Sequence, residues 1–359
     1  ESLLKEAHEL AERGVKELIL VAQETTLYGM DLYGKKALPE LLHKLGEIPG
    51  IFWIRILYCF PEEITEELIQ TIKTEPKVCH YLDIPIQHAS DSVLKRMGRR
   101  TNQEQLREMI AHLRDEIPDI CLRTTLITGF PGETQEDHEE VIDFVDDCEF
   151  DRLGVFTYSQ EEDTPAADMP DQIPEEIKLE WQGEIMELQQ FIAFEKAEEM
   201  DGEVLKVMVE GKLPEDNIFV GRTYKDAPNV DGFIFVSAER ELMSGDMIKA
   251  YVTEAQEYDL IGEMIEEYEE THDEDADAFV LDKDTLGRLL EESNIPEEKA
   301  SKIIMPTALN EGRNVTKAFE LGCVAYAGKP IDQEKFENVL RKLELKKKEL
   351  ILLMTVKLF

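Results

Sequence analysis

The chain has 359 residues, 42% of them hydrophobic, and carries 39 Lys and Arg against 79 Asp and Glu, for a formal net charge of −40. Such a length allows two or three domains with real cores. The charge argues against nonspecific nucleic-acid binding, whose affinity comes from Lys and Arg neutralising phosphates; it suits a basic partner protein or a well-solvated acidic surface. No apolar run nears the roughly 18 to 20 residues of a membrane span, the longest lying around residues 351–354.

The first stretch, ESLLKEAHELAERG, reads as an amphipathic helix over residues 3–13 and not as a signal peptide. Glu1 stands where an initiator Met would, the reading expected of a chain that begins inside a longer protein. VKELILVAQ follows as a short apolar run typical of a parallel strand buried on both faces. The alternation then continues with a helix over 38–45, strand IFWIRIL, helix ITEELIQTIK, strand YLDIPIQ, and a helix over 102–113. Strand CLRTTLITGF, helix QEDHEEVIDFVDD and strand DRLGVFTY complete it. Five strands with intervening helices predict a parallel barrel or open α/β sheet, with ligands at the C-terminal strand ends. Those ends carry Gln23 and Glu24, Gln87 and His88, Thr128 and Tyr158.

Pro165, Pro170 and Pro174 mark a loop, after which residues 175–199 read as one long polar helix. From about residue 202 short strands are split by Gly, Asn and Asp: EVLKVMVEG, IFVGRTYKDA, GFIFVSA, DMIKAYVTEA and YDLIGEM. That pattern predicts a small antiparallel β-barrel. It is acidic, with about sixteen Asp and Glu against about seven Lys and Arg over residues 196–263.

The cysteines are Cys59, Cys79, Cys121, Cys148 and Cys323, none within four residues of another, so no CxxC or CxxxCxxC spacing exists. Cys59, Cys121 and Cys323 sit in apolar stretches and read as buried small hydrophobes. Sparse, odd-numbered cysteines without a secretion signal point to a reducing cytoplasm.

The strings VAQETTLYGMDLYGK, WIRILYCFPEEIT, LDIPIQHASDSVLKRMGRR, LRTTLITGFPGET and FDRLGVFTYSQEEDTPA, in that order, make residues 1–265 resemble the radical S-adenosylmethionine (SAM) methylthiotransferases, and the barrel after them resembles a TRAM domain. The resemblance implies an incomplete radical-SAM (β/α) barrel over 1–170, a linker helix over 171–200 and a TRAM-like barrel over 201–265. It further implies SAM lying across the strand tops and two 4Fe–4S clusters, one cleaving SAM to a radical and one supplying sulfur from an N-terminal domain. The thiolates for either cluster are missing from this sequence, no metal ligands are assigned, and the chain as written is expected to lack the radical chemistry.

The site residues the resemblance points to are Gln23, Glu24, Gln87, His88, Arg123, Gly129, Pro131, Gly132, Glu133 and Tyr158. Gly129 and Gly132 flank Pro131 after an apolar strand, so backbone can approach a ligand there, although such loops are often plain turns. Glu133 also suits an ordinary first-turn acid at a helix start. Gln23 and Glu24 offer groups for a ribose or an amino group, with Glu24 standing where the family usually has Asp. His88 reads either as a site group or as a packed core histidine. Arg123, inside an apolar strand, needs a carboxylate, from SAM or from a neighbouring Asp. Tyr158 closes the last strand. Arg96, Arg99 and Arg100 would elsewhere read as a phosphate patch, or as a solvated helix end.

One branch of the family modifies an aspartate of the twelfth small-subunit ribosomal protein and another an adenosine of transfer RNA. An RNA-binding barrel should be basic, so the acidic barrel favours the ribosomal-protein branch and a basic ribosomal protein as partner, with no membrane and no nucleic acid. QETTLYGMDLYGK also looks more like that branch. Beyond about residue 266 the pattern changes. Residues 266–301 read as an acidic linker and an unplaced helix, and 302–359 as an α/β fragment whose Thr307, Ala308, Tyr326, Lys329 and Pro330 resemble the C-terminal half of a response-regulator receiver domain. A signalling protein defined by that tail is the rival class. It lacks the phosphoacceptor half, and the changes near 266 and 302 read as junctions of a composite chain.

Overall fold

The computed structural model describes residues 1–214 and 217–265, which fall in one compact unit. The expected acidic linker, helical piece and receiver-like half lie outside the described residues.

Five parallel strands pair in sequence order: β1 (Glu17–Leu20), β2 (Trp53–Ile56), β3 (Val78–Asp83), β4 (Cys121–Thr128) and β5 (Arg152–Thr157). Between them run α1 (Ser2–Glu12) ahead of β1, then α2 (Met30–Tyr33), α3 (Leu38–Gly46), α4 (Glu66–Thr74), α5 (Asp91–Arg96), α6 (Gln103–Glu116) and α7 (Gln135–Cys148). The sheet is open and continuous, the expected incomplete barrel. Helix starts are set by local chemistry. Asn102 opens α6 and Thr134 opens α7, each with a reciprocal capping box, and the Thr65 side chain accepts the Leu68 amide at the start of α4.

Alternation along each strand separates two faces. Leu18, Ile54, Ile56, Leu82, Leu122 and Leu126 join the helices in the main core. The other face carries Trp53, Cys79, Tyr81 and Cys121 near the strand starts, packed against Met208 and Ala227 of the small barrel.

After β5 the chain enters α8 (Glu175–Glu198), which is more than the polar linker its sequence suggests. Trp181, Ile185, Gln189, Ile192 and Ala193 form a buried stripe on it. The Trp181 ring stacks on His138 of α7 at 5.0 Å, and Gln182 and Gln189 donate to the Val155 and Phe150 carbonyls. A stripe of about one apolar residue per turn, with polar residues between, reads as polar until a partner face is known.

The small barrel closes in the order β10-β8-β7-β6-β9, from β6 (Val204–Lys212), β7 (Ile218–Arg222), β8 (Ile234–Ser237), β9 (Met247–Gln256) and β10 (Asp259–Ile265). It is not wholly antiparallel: β8 and β10 pair parallel, while the other four pairs are antiparallel. Parity requires this. An odd number of strands cannot alternate direction around a closed ring.

Candidate functional site

The barrel covers only the lower half of the sheet's second face. The β7–β8 connection reaches the strand starts, where Tyr224 O accepts from Arg55 and Asp231 accepts from Tyr81 Oη at 3.0 Å. Glu17 bridges Arg55 at 2.8 Å and Arg222 at 2.7 Å, and Arg152 meets Asp226 at 2.7 Å. Buried guanidiniums require such partners. Toward the strand ends the same face is more open, although Ile127 is partly buried against Phe130 and Tyr158. Ile127 pairs in register with Phe156 and Thr125 with Gly154, and Val21, Tyr58 and Phe156 are exposed at 59%, 47% and 63%. Parallel sheets normally bury both faces, so an uncovered apolar wall below the strand ends marks a place for a ligand or partner.

Two loop clusters rim that wall. The first is the corner after β1. Gln23 is exposed. Glu24 is half-buried, and its Oε1 accepts from the Thr26 amide at 3.0 Å, the Phe60 amide at 3.3 Å and the Thr26 hydroxyl. Its Oε2 is buried with no partner. Burial raises the Glu24 carboxyl above its ordinary range, against the pull of the Phe60 and Thr26 amides. An orphaned carboxylate oxygen beside an open wall is a ready acceptor for an ammonium or a hydroxyl.

The second cluster joins the ends of β3 and β4. Gln87 adopts a left-handed φ of 73° and bridges to β4 through its backbone, its amide donating to Thr125 O at 2.9 Å and its carbonyl accepting from Ile127 at 2.8 Å. His88 and Glu133 are both buried. The Ser90 amide donates to His88 Nδ1 at 3.0 Å; His88 Nε2 lies 3.2 Å from Glu133 Oε1, and neither of these two buried atoms has a hydrogen-bond partner. Glu133 Oε2 accepts the amides of Gly129 and Phe130 at 2.6 and 3.0 Å. Glu133 thus ties its own loop together as well as preceding α7. Asp137, in the first turn of α7, accepts from Ser90 at 2.6 Å and from Ser92, and so stitches the β3 loop to that helix.

The glycines of this loop make room for the protein's own side chains. A Cβ on Gly129 would overlap the aliphatic chain of Lys178, and one on Gly132 would overlap Arg96. Arg96 donates to the carbonyls of Pro131 (3.3 Å) and Gly132. Arg99 donates to Pro85 O at 2.6 Å with its guanidinium over the Phe60 ring, and Arg100 pairs with Glu62 and Glu63. The three arginines are therefore occupied by loop carbonyls and carboxylates and form no phosphate patch. Tyr158 is buried edge-on to Phe130 at 5.4 Å, with its hydroxyl unpartnered and Lys178 Nζ on its carbonyl at 2.8 Å.

Arg123 stands apart from the rim. Its partners are protein carboxylates, Asp83 at 3.2 Å and Asp231 of the β7–β8 connection at 3.7 Å. Lys178, Asp83 and Asp231 escaped the sequence reading. Asp83 was legible by the same signal as Arg123, a charge inside the apolar run YLDIPIQ. Lys178 carried none, because its role depends on α8 lying under Gly129.

An iron–sulfur cluster needs thiolates converging on one point. Among the described residues Cys59, Cys79, Cys121 and Cys148 are all buried, and burial pushes their thiols up, Cys79 to about 12 and Cys148 to about 11. No group of three His, Cys, Asp or Glu among the described residues could hold a metal. These residues do not fit a cluster. No helix among them is long and apolar enough to cross a membrane.

Residues 1–145 match the radical SAM superfamily and residues 202–265 the TRAM domain. Over 262 residues the chain is 68% identical to the ribosomal protein uS12 methylthiotransferase RimO of Lachnoclostridium phytofermentans, covering 73% of this chain and 60% of that protein. The protein of the same name from Desulfitobacterium hafniense is 50% identical over 266 residues, 74% of this chain and 60% of that one. The chain spans about 60% of the length of these curated relatives. Among solved structures, coproporphyrinogen III oxidase (HemN) of Escherichia coli aligns over 70% of this chain and 59% of its own, at 17% identity and a TM-score of 0.41, a likeness too low to carry an argument.

Proposed function

We propose that the chain belongs to the radical SAM methylthiotransferases, and that residues 1–265 are the SAM-binding sheet and TRAM barrel of an enzyme that methylthiolates ribosomal protein uS12. The observation that carries this is the 68% identity running through both folded parts. The open wall between the Glu24 corner and the Gly129–Glu133 loop supports a SAM site. In this reading Glu24 Oε2 accepts the SAM ammonium, Gln23 a ribose hydroxyl, and the Gln87 and Gly129–Gly132 backbone flanks the adenine. The apolar wall of Ile127 and Phe156 keeps water from the sulfonium. His88, Glu133 and Tyr158 hold the loops that form these contacts. SAM supplies the radical source and the methyl group of the family's chemistry. The cluster such chemistry needs finds no ligands among the described residues, so no step is assigned to it here.

The acidic barrel, with about sixteen carboxylates against about seven cations over residues 196–263, favours a basic ribosomal protein over RNA. A cytoplasmic setting follows from that partner. Calorimetry of the full chain with S-adenosylhomocysteine, together with cross-linking to purified uS12, tests both halves. Saturable binding that Glu24→Ala removes, and cross-linking to uS12 that fades with salt, are expected. No binding of the nucleoside would overturn the SAM site. Cross-linking no better than to an unrelated basic protein of equal charge would overturn the partner.

A further inference from the structure

The Glu24 corner is held from a distance. Tyr58, just past the end of β2, sits at a φ of 58°, a left-handed conformation uncommon for a tyrosine. Its carbonyl accepts the Thr25 amide at 3.0 Å, and the Phe60 amide two residues on donates to Glu24 Oε1. The segment from Tyr58 to Phe60 therefore anchors both Thr25 and Glu24 of the corner. What holds that peptide is Asp83, whose Oδ2 accepts the Tyr58 amide at 3.1 Å while its carbonyl accepts the Cys59 amide at 2.9 Å. The other carboxylate oxygen of Asp83 faces Arg123, and Arg123 is shared with Asp231 of the small barrel. Asp231 is itself pinned, accepting from the Ala227 amide at 2.8 Å and from Tyr81 Oη. It also lies 4.0 Å from Arg152, so two guanidiniums converge on one carboxylate.

We propose that Asp231 is a positioning residue for the Gln23–Glu24 corner, acting through Arg123 and Asp83 on the Tyr58 peptide. The TRAM barrel thereby sets the geometry of a loop at the far end of the sheet. Without the Asp231 charge, Arg123 and Arg152 face each other with less compensation. Arg123 then shifts, Asp83 loses its fixed orientation, and the left-handed Tyr58 peptide relaxes. The consequence for ligand binding rests on assigning the Glu24 corner to SAM; the positioning itself does not.

Hydrogen–deuterium exchange on the full chain reads the positioning without any ligand. Asp231→Asn keeps an acceptor oxygen for Ala227 and Tyr81 but removes the charge. Asp226→Asn loosens the same connection through Arg152 and does not touch the Arg123–Asp83 pair. Expected is exchange at least about fivefold faster in peptides spanning 57–60 and 23–26 for Asp231→Asn, little change there for Asp226→Asn, and recovered protection in Asp231→Glu. If Asp231→Asn does not fold, Arg123→Lys, which cannot span both carboxylates, is expected to show the same pattern. Equal exchange at 57–60 in wild type and Asp231→Asn, or in the two Asn variants, would overturn the proposal. S-adenosylhomocysteine titration of Asp231→Asn is expected to show weakened binding in parallel. Faster exchange with unchanged affinity would instead overturn the assignment of the corner to SAM, leaving the positioning chain intact.

Discussion

Glu133 and His88 meet at 3.2 Å between the ends of β4 and β3, both buried, with the second Glu133 oxygen closed over the amides of Gly129 and Phe130. One carboxylate thus folds its own loop with one oxygen and sets the other against the histidine that follows the neighbouring strand. It is a joint between two parts of the site rim, not a free group.

Removing that joint should therefore cost stability. Glu133→Ala leaves the amides of Gly129 and Phe130 without their acceptor and takes away the carboxylate beside His88, in a dry place. The expected loss is about 2 to 4 kcal/mol, read as a lower urea midpoint with an unchanged slope. A variant as stable as wild type would show that the joint carries no load.

The loop also has no room for side chains at one glycine. Gly129→Ala must place a methyl where Lys178 lies, at a φ of 74° that disfavours any Cβ. A loss of about 2 kcal/mol or more is expected. Gly154→Ala, with nothing within 4 Å and an ordinary backbone, is expected to change the melting temperature little.

Asp137 should leave a signature in acid. Burial alone would raise its carboxyl, but hydrogen bonds from Ser90, Ser92 and Thr134 outweigh it and bring it down to about 2. The folded value is depressed, so the stabilisation is complete above the unfolded value near 4 and drains away as pH falls from about 4 to about 2. The urea midpoint of wild type should exceed that of Asp137→Asn at pH 6, and the two should converge toward pH 2.

Glu24 should behave in the opposite sense. Its folded pKa is raised by burial, so its ionisation costs the fold stability as pH rises above the unfolded carboxylate range. Glu24→Gln is expected to be at least as stable as wild type at pH 7 without ligand, yet to bind S-adenosylhomocysteine more weakly. Under the proposed SAM site, stability is traded for an anion aimed at the ligand. A variant both less stable and undiminished in binding would contradict this.

Much of the fold was legible because period-two and period-3.6 patterns report which side of an element is buried. The five runs from VKELILVAQ to DRLGVFTY all became parallel strands, and five runs past residue 202 closed a barrel. The parallel β8–β10 pair was not read, although an odd strand count demands one. The buried stripe of α8 is also not legible in the sequence, since Glu180, Glu184 and Glu187 and the flanking glutamines dilute it.

The sequence by itself determined where polar groups end apolar strands, and so which loops form the rim: Gln23 and Glu24, Gln87 and His88, and Gly129 through Glu133. Local pattern suffices there, because parallel strands all end on one edge of the sheet. Only the tertiary structure decided what each group faces. Arg123 could have met a ligand or an aspartate, and it is Asp83 and Asp231, one from the adjacent strand and one from 108 positions along the chain, that claim it. At Gly129 and Gly132 the space a Cβ would need is taken by Lys178 and Arg96. Charge pairing and close packing act through space, between segments whose separation along the chain says nothing of their distance.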